Sequence, residues 1–117
     1  MGHNTITQSY EIMDKVYLLQ EGTTDYYKIG YTRGSVNNRV KQLQTGASGE
    51  ISIVNYFESE HAKKIEKNLH NRFKSSHVNG EWFKLPDDFV LHFKDECSKI
   101  EFMFKFLTKH NYFFKKP

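Results

Sequence analysis

The chain has 117 residues and a mass of 13.9 kDa; it is 38% hydrophobic and 26% charged, with a net charge of +3 and a pI near 8.9. That length carries one hydrophobic core but not two, and the mild positive charge suits a nucleic-acid partner while falling well short of a histone-like excess. The single cysteine, Cys97, excludes a disulfide framework and a multi-cysteine zinc centre, and no apolar run approaches the roughly 18 residues of a membrane span.

In chain order, residues 1–14 read as a loose polar arm without the apolar middle of a signal peptide. The segment 15–20, KVYLLQ, is apolar and β-prone; EGTTD has turn chemistry; and 26–32, YYKIGYT, alternates as a second strand, so the two form a hairpin. RGS breaks that strand, with Ser35 as N-cap of a helix from Val36 to about Gln44. A third strand, ISIVNYFES (51–59), ends on Ser59, a second candidate N-cap. Ala62, Ile65, Leu69 and Phe73 then recur at the spacing of one helical face. After a loop, EWFKL is a short extended piece, and from Pro86 a long helix is expected to about Lys109, with Phe89, Phe93, Cys97, Ile100, Phe104 and Leu107 as its stripe. The order predicts a compact α+β domain, with an arm at 1–14, a core domain at 15–85 and a helical extension at 86–117 packed on it.

Some polar residues fall close to apolar faces. At about 100° per residue, Arg39 projects about 60° from Val36, on the border of the stripe Val36, Val40, Leu43. Glu66 falls about 40° from Ala62, with His70 one turn on. In the second strand Tyr27, Ile29 and Tyr31 share one face, and Tyr26, Lys28, Gly30 and Thr32 the other. Gly30 beside Lys28 leaves the backbone open to a bulky ligand. Taken singly, a border Arg or Glu is more often a solvated edge or a structural pair. Jointly, an acid, a guanidinium, an ammonium and a phenol suit phosphodiester hydrolysis, in which a carboxylate holds a hard divalent ion and cations spread the charge building on phosphorus.

VYLLQ followed by YYKIGYT, the arginine in VNNRVKQLQTG, IEKNLHNRF and GEWFKL together resemble the GIY-YIG nuclease superfamily over residues 15 to 85, and most closely its phage- and virus-associated branch, which carries K-I-G where the name motif has Y-I-G. The resemblance implies a three-stranded antiparallel sheet flanked by helices, a long C-terminal helix as a variable extension, and a site with a single Mg²⁺ (or Mn²⁺). By position, Tyr17 matches the first motif's tyrosine, Lys28 stands in place of the second motif's tyrosine, and Gly30 matches its glycine. Arg39 matches the helical arginine and Glu66 the metal-binding glutamate. His70 belongs to the branch's E-x-x-x-H pattern, and Glu81 with Trp82 to G-E-W-F. Lys15 and Val16 depart from the glycine and isoleucine of the first motif. The closing asparagine has no clear counterpart, Asn79 and Glu81 being the two stand-ins.

The implied assignment makes Tyr17, Lys28, Arg39, Glu66 and His70 catalytic, with Glu66 on the metal, and Gly30, Tyr31, Lys63, Arg72 and Glu81 contacts to DNA. Lys28 serves either as a proton acceptor of lowered pKa or as a phosphate contact, in which case Tyr17 or a metal-bound water is the base. The alternative function is a weak or inactive binding module on the same fold. Trp82 and Phe83 are expected as core under the sheet, and Lys63, Lys64, Lys67, Arg72 and Lys74 as either a DNA-facing rim or a solvated face. Phe102, Met103 and Phe106 lie off the last helix's stripe, where a second copy or a protein partner could pack. The expected compartment is the cytosol, or the host cytosol for a viral chain.

Overall fold

A computed structural model describes residues 13–110; the greater part of the expected arm lies outside them, as do residues 111–117. The hairpin forms as its pattern requires. Strand β1 (Lys15–Glu21) pairs antiparallel with β2 (Tyr26–Thr32), Tyr17 standing opposite Gly30 and Leu19 opposite Lys28. Its turn is closed by Thr24, whose hydroxyl donates to the Glu21 carbonyl at 2.7 Å and accepts from Tyr26 N–H at 3.1 Å. Helix α1 (Val36–Gln44) starts at Ser35, whose hydroxyl accepts the Asn38 N–H at 3.2 Å, an N-cap satisfying one of the four orphan donors of a helix start. Strand β3 (Ile51–Glu58) pairs with the other edge of β1, with a bulge that leaves Val54 between the pairs Leu18–Asn55 and Leu19–Ile53.

Helix α2 (Ala62–Arg72) begins three residues after Ser59, which is therefore not its N-cap residue; the serine hydroxyl instead accepts the His61 N–H at 2.9 Å in the approach to the helix. A 3-10 turn (Lys74–Ser76) leads into β4 (His77–Asn79) and β5 (Trp82–Lys84). The sheet thus has five strands, in the order β3-β1-β2-β5-β4, where three were expected. The difference lies in two three-residue strands that Gly80, with φ +52°, turns into a hairpin, too short for any periodicity to show. The single long helix expected from Pro86 is two: α3 (Asp87–Leu91) and α4 (Phe93–His110), divided at His92, which has φ −107° and ψ 26°. No proline or glycine marks this break, so it follows from tertiary packing. Phe89 of α3 meets Phe73 edge-on at 4.6 Å, while Phe93 seats itself fully in the core.

The two faces of the sheet have different fates. One face carries Val16, Leu18, Tyr27, Ile29 and Phe83, which pack with Ala62, Ile65 and Leu69 of α2 and with Phe89, Phe93, Cys97 and Ile100 in the main core. The other face carries Tyr17 and Leu19, which with Ile51 and Val36 form a smaller cluster under α1 alone. Trp82 belongs to this second face and is only partly covered, so it is not core under the sheet as expected; Phe83, its neighbour, is. Because α1 is short, much of the second face stays open, and the candidate site lies there. Beyond Ile100 the main stripe fades, and Phe102, Met103 and Phe106 stand exposed on α4. Among the described residues no helix is long and apolar enough to cross a membrane.

Candidate active site

Tyr17 is the anchor. It is 1% exposed, in the middle of β1, and its ring lies over Gly30 on the neighbouring strand. A Cβ at position 30 would fall inside the van der Waals envelope of Tyr17 Cζ and Oη, so the glycine makes the room in which the phenol lies. Arg39, one turn into α1, donates from Nε to Tyr17 Oη at 3.4 Å and from Nη1 to Gln42 Oε1 at 3.1 Å. Burial raises the Tyr17 pKa above the usual phenol value, against the lowering effect of Arg39, so at neutral pH Tyr17 is a hydrogen-bond donor.

The carboxylates enter from a gap in the sheet. β5 pairs with β2 only over Tyr26, Tyr27 and Lys28. Beyond it the Ile29 carbonyl is met by His70 of α2, whose Nε2–H donates at 2.7 Å. A carbonyl only accepts, so this bond requires a proton on His70 Nε2. Glu66, one turn earlier, has Oε2 at 4.0 Å from His70 Nε2. Glu81, in the turn just before β5, pairs with Lys28 through Oε1 at 3.0 Å; Lys28 itself is 7% exposed, with its ammonium 5.6 Å above the Trp82 ring. One ligand atom each from Glu66, His70 and Glu81 lies within 4.8 Å of the others. Burial is the main cause, and the Glu81 carboxylate the second, that raises the Glu66 pKa against the opposing His70, Lys28 and Lys63.

Two oxygen donors at this separation suit a hard divalent ion, and the neighbouring Glu81 carboxylate adds to the effect of burial on Glu66. A cation bound between them would relieve that repulsion, and two carboxylates with a nearby imidazole are a donor set of the kind that hard divalent cations take.

The other expected contacts fall elsewhere. Tyr31 is on the opposite face, packed against the main core and donating to Asp14 Oδ2 at 2.8 Å. Arg72 ties α2 to α4 through Glu96 Oε1 at 2.7 Å, so it is a structural pair and not a free phosphate contact. Lys63 is exposed on α2, near enough to Glu66 to lower its pKa. Glu81, expected as a DNA contact or as a stand-in for the closing asparagine, lies beside Glu66 and on Lys28. Cys97 is buried, its thiol pushed up to about 12 by desolvation, and takes no part. Sequence reasoning passed over Tyr26 and Lys84, which the β2–β5 register sets beside Lys28 and Trp82 on the open face. The alternation of YYK and WFK was the available signal, and it became readable only with that register. A separate cavity of about 400 Å³ at the amino end of α1, lined by Lys15, Ile53 and Tyr56 among others, lies on the same face and includes none of these carboxylates.

An antiparallel sheet that gathers carboxylates, cations and a phenol in one recess has the make-up of a nuclease-like or nucleic-acid-binding module. The chain belongs to the T5orf172 domain family, whose match spans residues 14–100; this domain is phage-associated and related to nucleases. The matched span takes in α3 and ends at Ile100, the last buried residue of α4. No curated protein and no solved structure matches the chain.

Proposed function

We propose that this protein is a small divalent-metal-dependent endonuclease that hydrolyses DNA phosphodiester bonds, on a site of the GIY-YIG kind. The observation that carries the proposal is the convergence of Glu66, Glu81, Lys28, Arg39 and Tyr17, contributed by two helices, two strands and the turn before β5, at one recess. Glu66 and Glu81 would hold the ion, with His70 kept in place behind them by the Ile29 carbonyl. Bound there, the ion supplies Lewis-acid polarisation of the phosphate. Arg39 and Lys28 hold the non-bridging oxygens and stabilise charge as a water oxygen bonds to phosphorus and the P–O bond to the leaving sugar oxygen breaks. Tyr17, kept protonated, donates to the phosphate and orients it. Glu81 has the more exposed of the two carboxylates and accepts the proton of the attacking water.

The test is conversion of supercoiled plasmid to nicked circles by folded protein, with Mg²⁺, Mn²⁺ or chelator. Nicking that needs the ion is expected; no nicking with any divalent metal would sink the proposal. One observation favours the second reading, a binding module without turnover: Lys28 stands in place of a tyrosine and is ion-paired at 3.0 Å to one of the two carboxylates. That reading predicts salt-dependent DNA binding that needs no metal and survives Glu66→Gln, with no cleavage.

A further inference from the structure

The β2–β5 register makes a checkerboard on the open face. Tyr26 stands opposite Lys84 and Lys28 opposite Trp82, each lysine ammonium 5.6 Å from the centre of the adjacent ring. Tyr26 and Trp82 are both partly exposed, and they line a groove of about 610 Å³ that runs towards the carboxyl end of α1, where Gln42, Ser48 and Asn79 bring amide and hydroxyl groups. That volume falls within the roughly 300–1,000 Å³ typical of ligand clefts. The groove is continuous with the candidate site: Gln42 holds Arg39 at 3.1 Å, and the lysine over Trp82 is the one paired with Glu81. The groove is lined by the rings, by these amides and by the Glu21 carboxylate, with Lys28 and Lys84 at its border; rings, amides and bordering cations match the needs of an unpaired nucleotide: a face to stack on, hydrogen-bonding groups for a base edge and an ammonium beside it for a phosphate. A fully paired duplex keeps its bases stacked inside and has nothing to lay on these rings.

The geometry points to a base-stacking subsite on Tyr26 and Trp82 that takes an unpaired DNA nucleotide adjoining the phosphate held by Lys28 and Arg39. It rests on the nuclease reading for the place of that phosphate, and it makes the preferred substrate single-stranded or locally unpaired DNA.

Trp82 is the only tryptophan in the chain, so its emission reports directly on this groove. The full-length protein, with chelator to prevent cleavage, is titrated with a short single-stranded thymidine oligonucleotide, with the same oligonucleotide carrying abasic sites, and with a blunt duplex of two complementary strands. The thymidine strand is expected to quench Trp82, the duplex to leave emission unchanged, and the abasic strand to bind roughly tenfold more weakly without quenching. Tyr26→Ala is expected to narrow the difference in affinity between the thymidine and abasic strands, leaving the share due to Trp82, while circular dichroism shows the fold intact. Equal affinity of the wild-type protein for both strands, or quenching as strong with the duplex, overturns the subsite. The plasmid assay is independent: nicking without base-dependent quenching removes this inference alone, and quenching without nicking removes only turnover.

Discussion

At the scale of single residues, Gly30 is where one added carbon would matter most. Its missing side chain is the space occupied by the Tyr17 ring, so Gly30→Ala forces the phenol or the β1–β2 pair to shift. Overpacking of this kind costs about 1–3 kcal/mol, and the substitution is expected to lower the urea midpoint and reduce nicking together. Glu66 has the opposite stability sign. Its pKa is raised in the folded chain, so ionising it works against folding: the stability linked to its proton is complete below the unfolded pKa and is lost as pH rises through the higher folded value. Glu66→Gln is therefore expected to raise the melting temperature by a few degrees at neutral pH while abolishing nicking, with much of the gain gone at pH 4. A variant no more stable than wild type at pH 7 would show that the carboxylate is not under strain. These residues were partly legible in the sequence: Arg39 and Glu66 stood out because helical periodicity put charge at the border of apolar stripes. The raised pKa of Tyr17 was not legible, because it depends on burial under α1.

At the scale of elements, the long-range patterns were readable and the short ones were not. The hairpin, α1, β3 and α2 follow from alternation, a capping serine and an i, i+3, i+4 stripe, each spanning enough residues to repeat. β4 and β5 have three residues each and acquire their identity from pairing with each other and with β2, a contact no local pattern encodes. That pairing also brings Glu81, in the turn before β5, against Lys28; the sequence offered Glu81 as a DNA contact or a stand-in for the closing asparagine, but its ion pair with Lys28 depends on the β2–β5 register. Arg72 illustrates the converse: on α2 alone it looks like part of a basic rim, but α4 packs close enough to supply Glu96. The Arg72 hydrogen bond holds the Glu96 pKa below its usual value, so its stabilisation is present above the unfolded pKa and is lost as pH falls through the folded one. Arg72→Ala is expected to cost only about 0.5–1 kcal/mol at neutral pH, as for a partly exposed pair, to become indistinguishable from wild type in acid, and to leave DNA affinity unchanged. A several-fold loss of affinity would instead return Arg72 to the DNA surface.

At the scale of the whole molecule, the sheet is a partition. One face is committed to a single core built with α2, α3 and α4, while the other is only partly roofed by α1 and carries the polar chemistry. The arrangement lets core and site be perturbed separately. Leu69→Ala, in the core, is expected to cost about 2–5 kcal/mol while preserving activity in the fraction that remains folded. Lys28→Met is expected to leave the fold in place and to reduce the slope of log affinity against log salt by about one phosphate's worth; an unchanged slope would remove Lys28 from the phosphate. The most direct test of the central claim is the single-turnover rate of plasmid nicking in Mg²⁺ for wild type and Glu66→Gln, measured beside their DNA affinities. The account predicts a rate at least about a hundredfold lower in the variant with binding retained, as removal of an essential charge-bearing group typically gives; equal rates for the two proteins would contradict it.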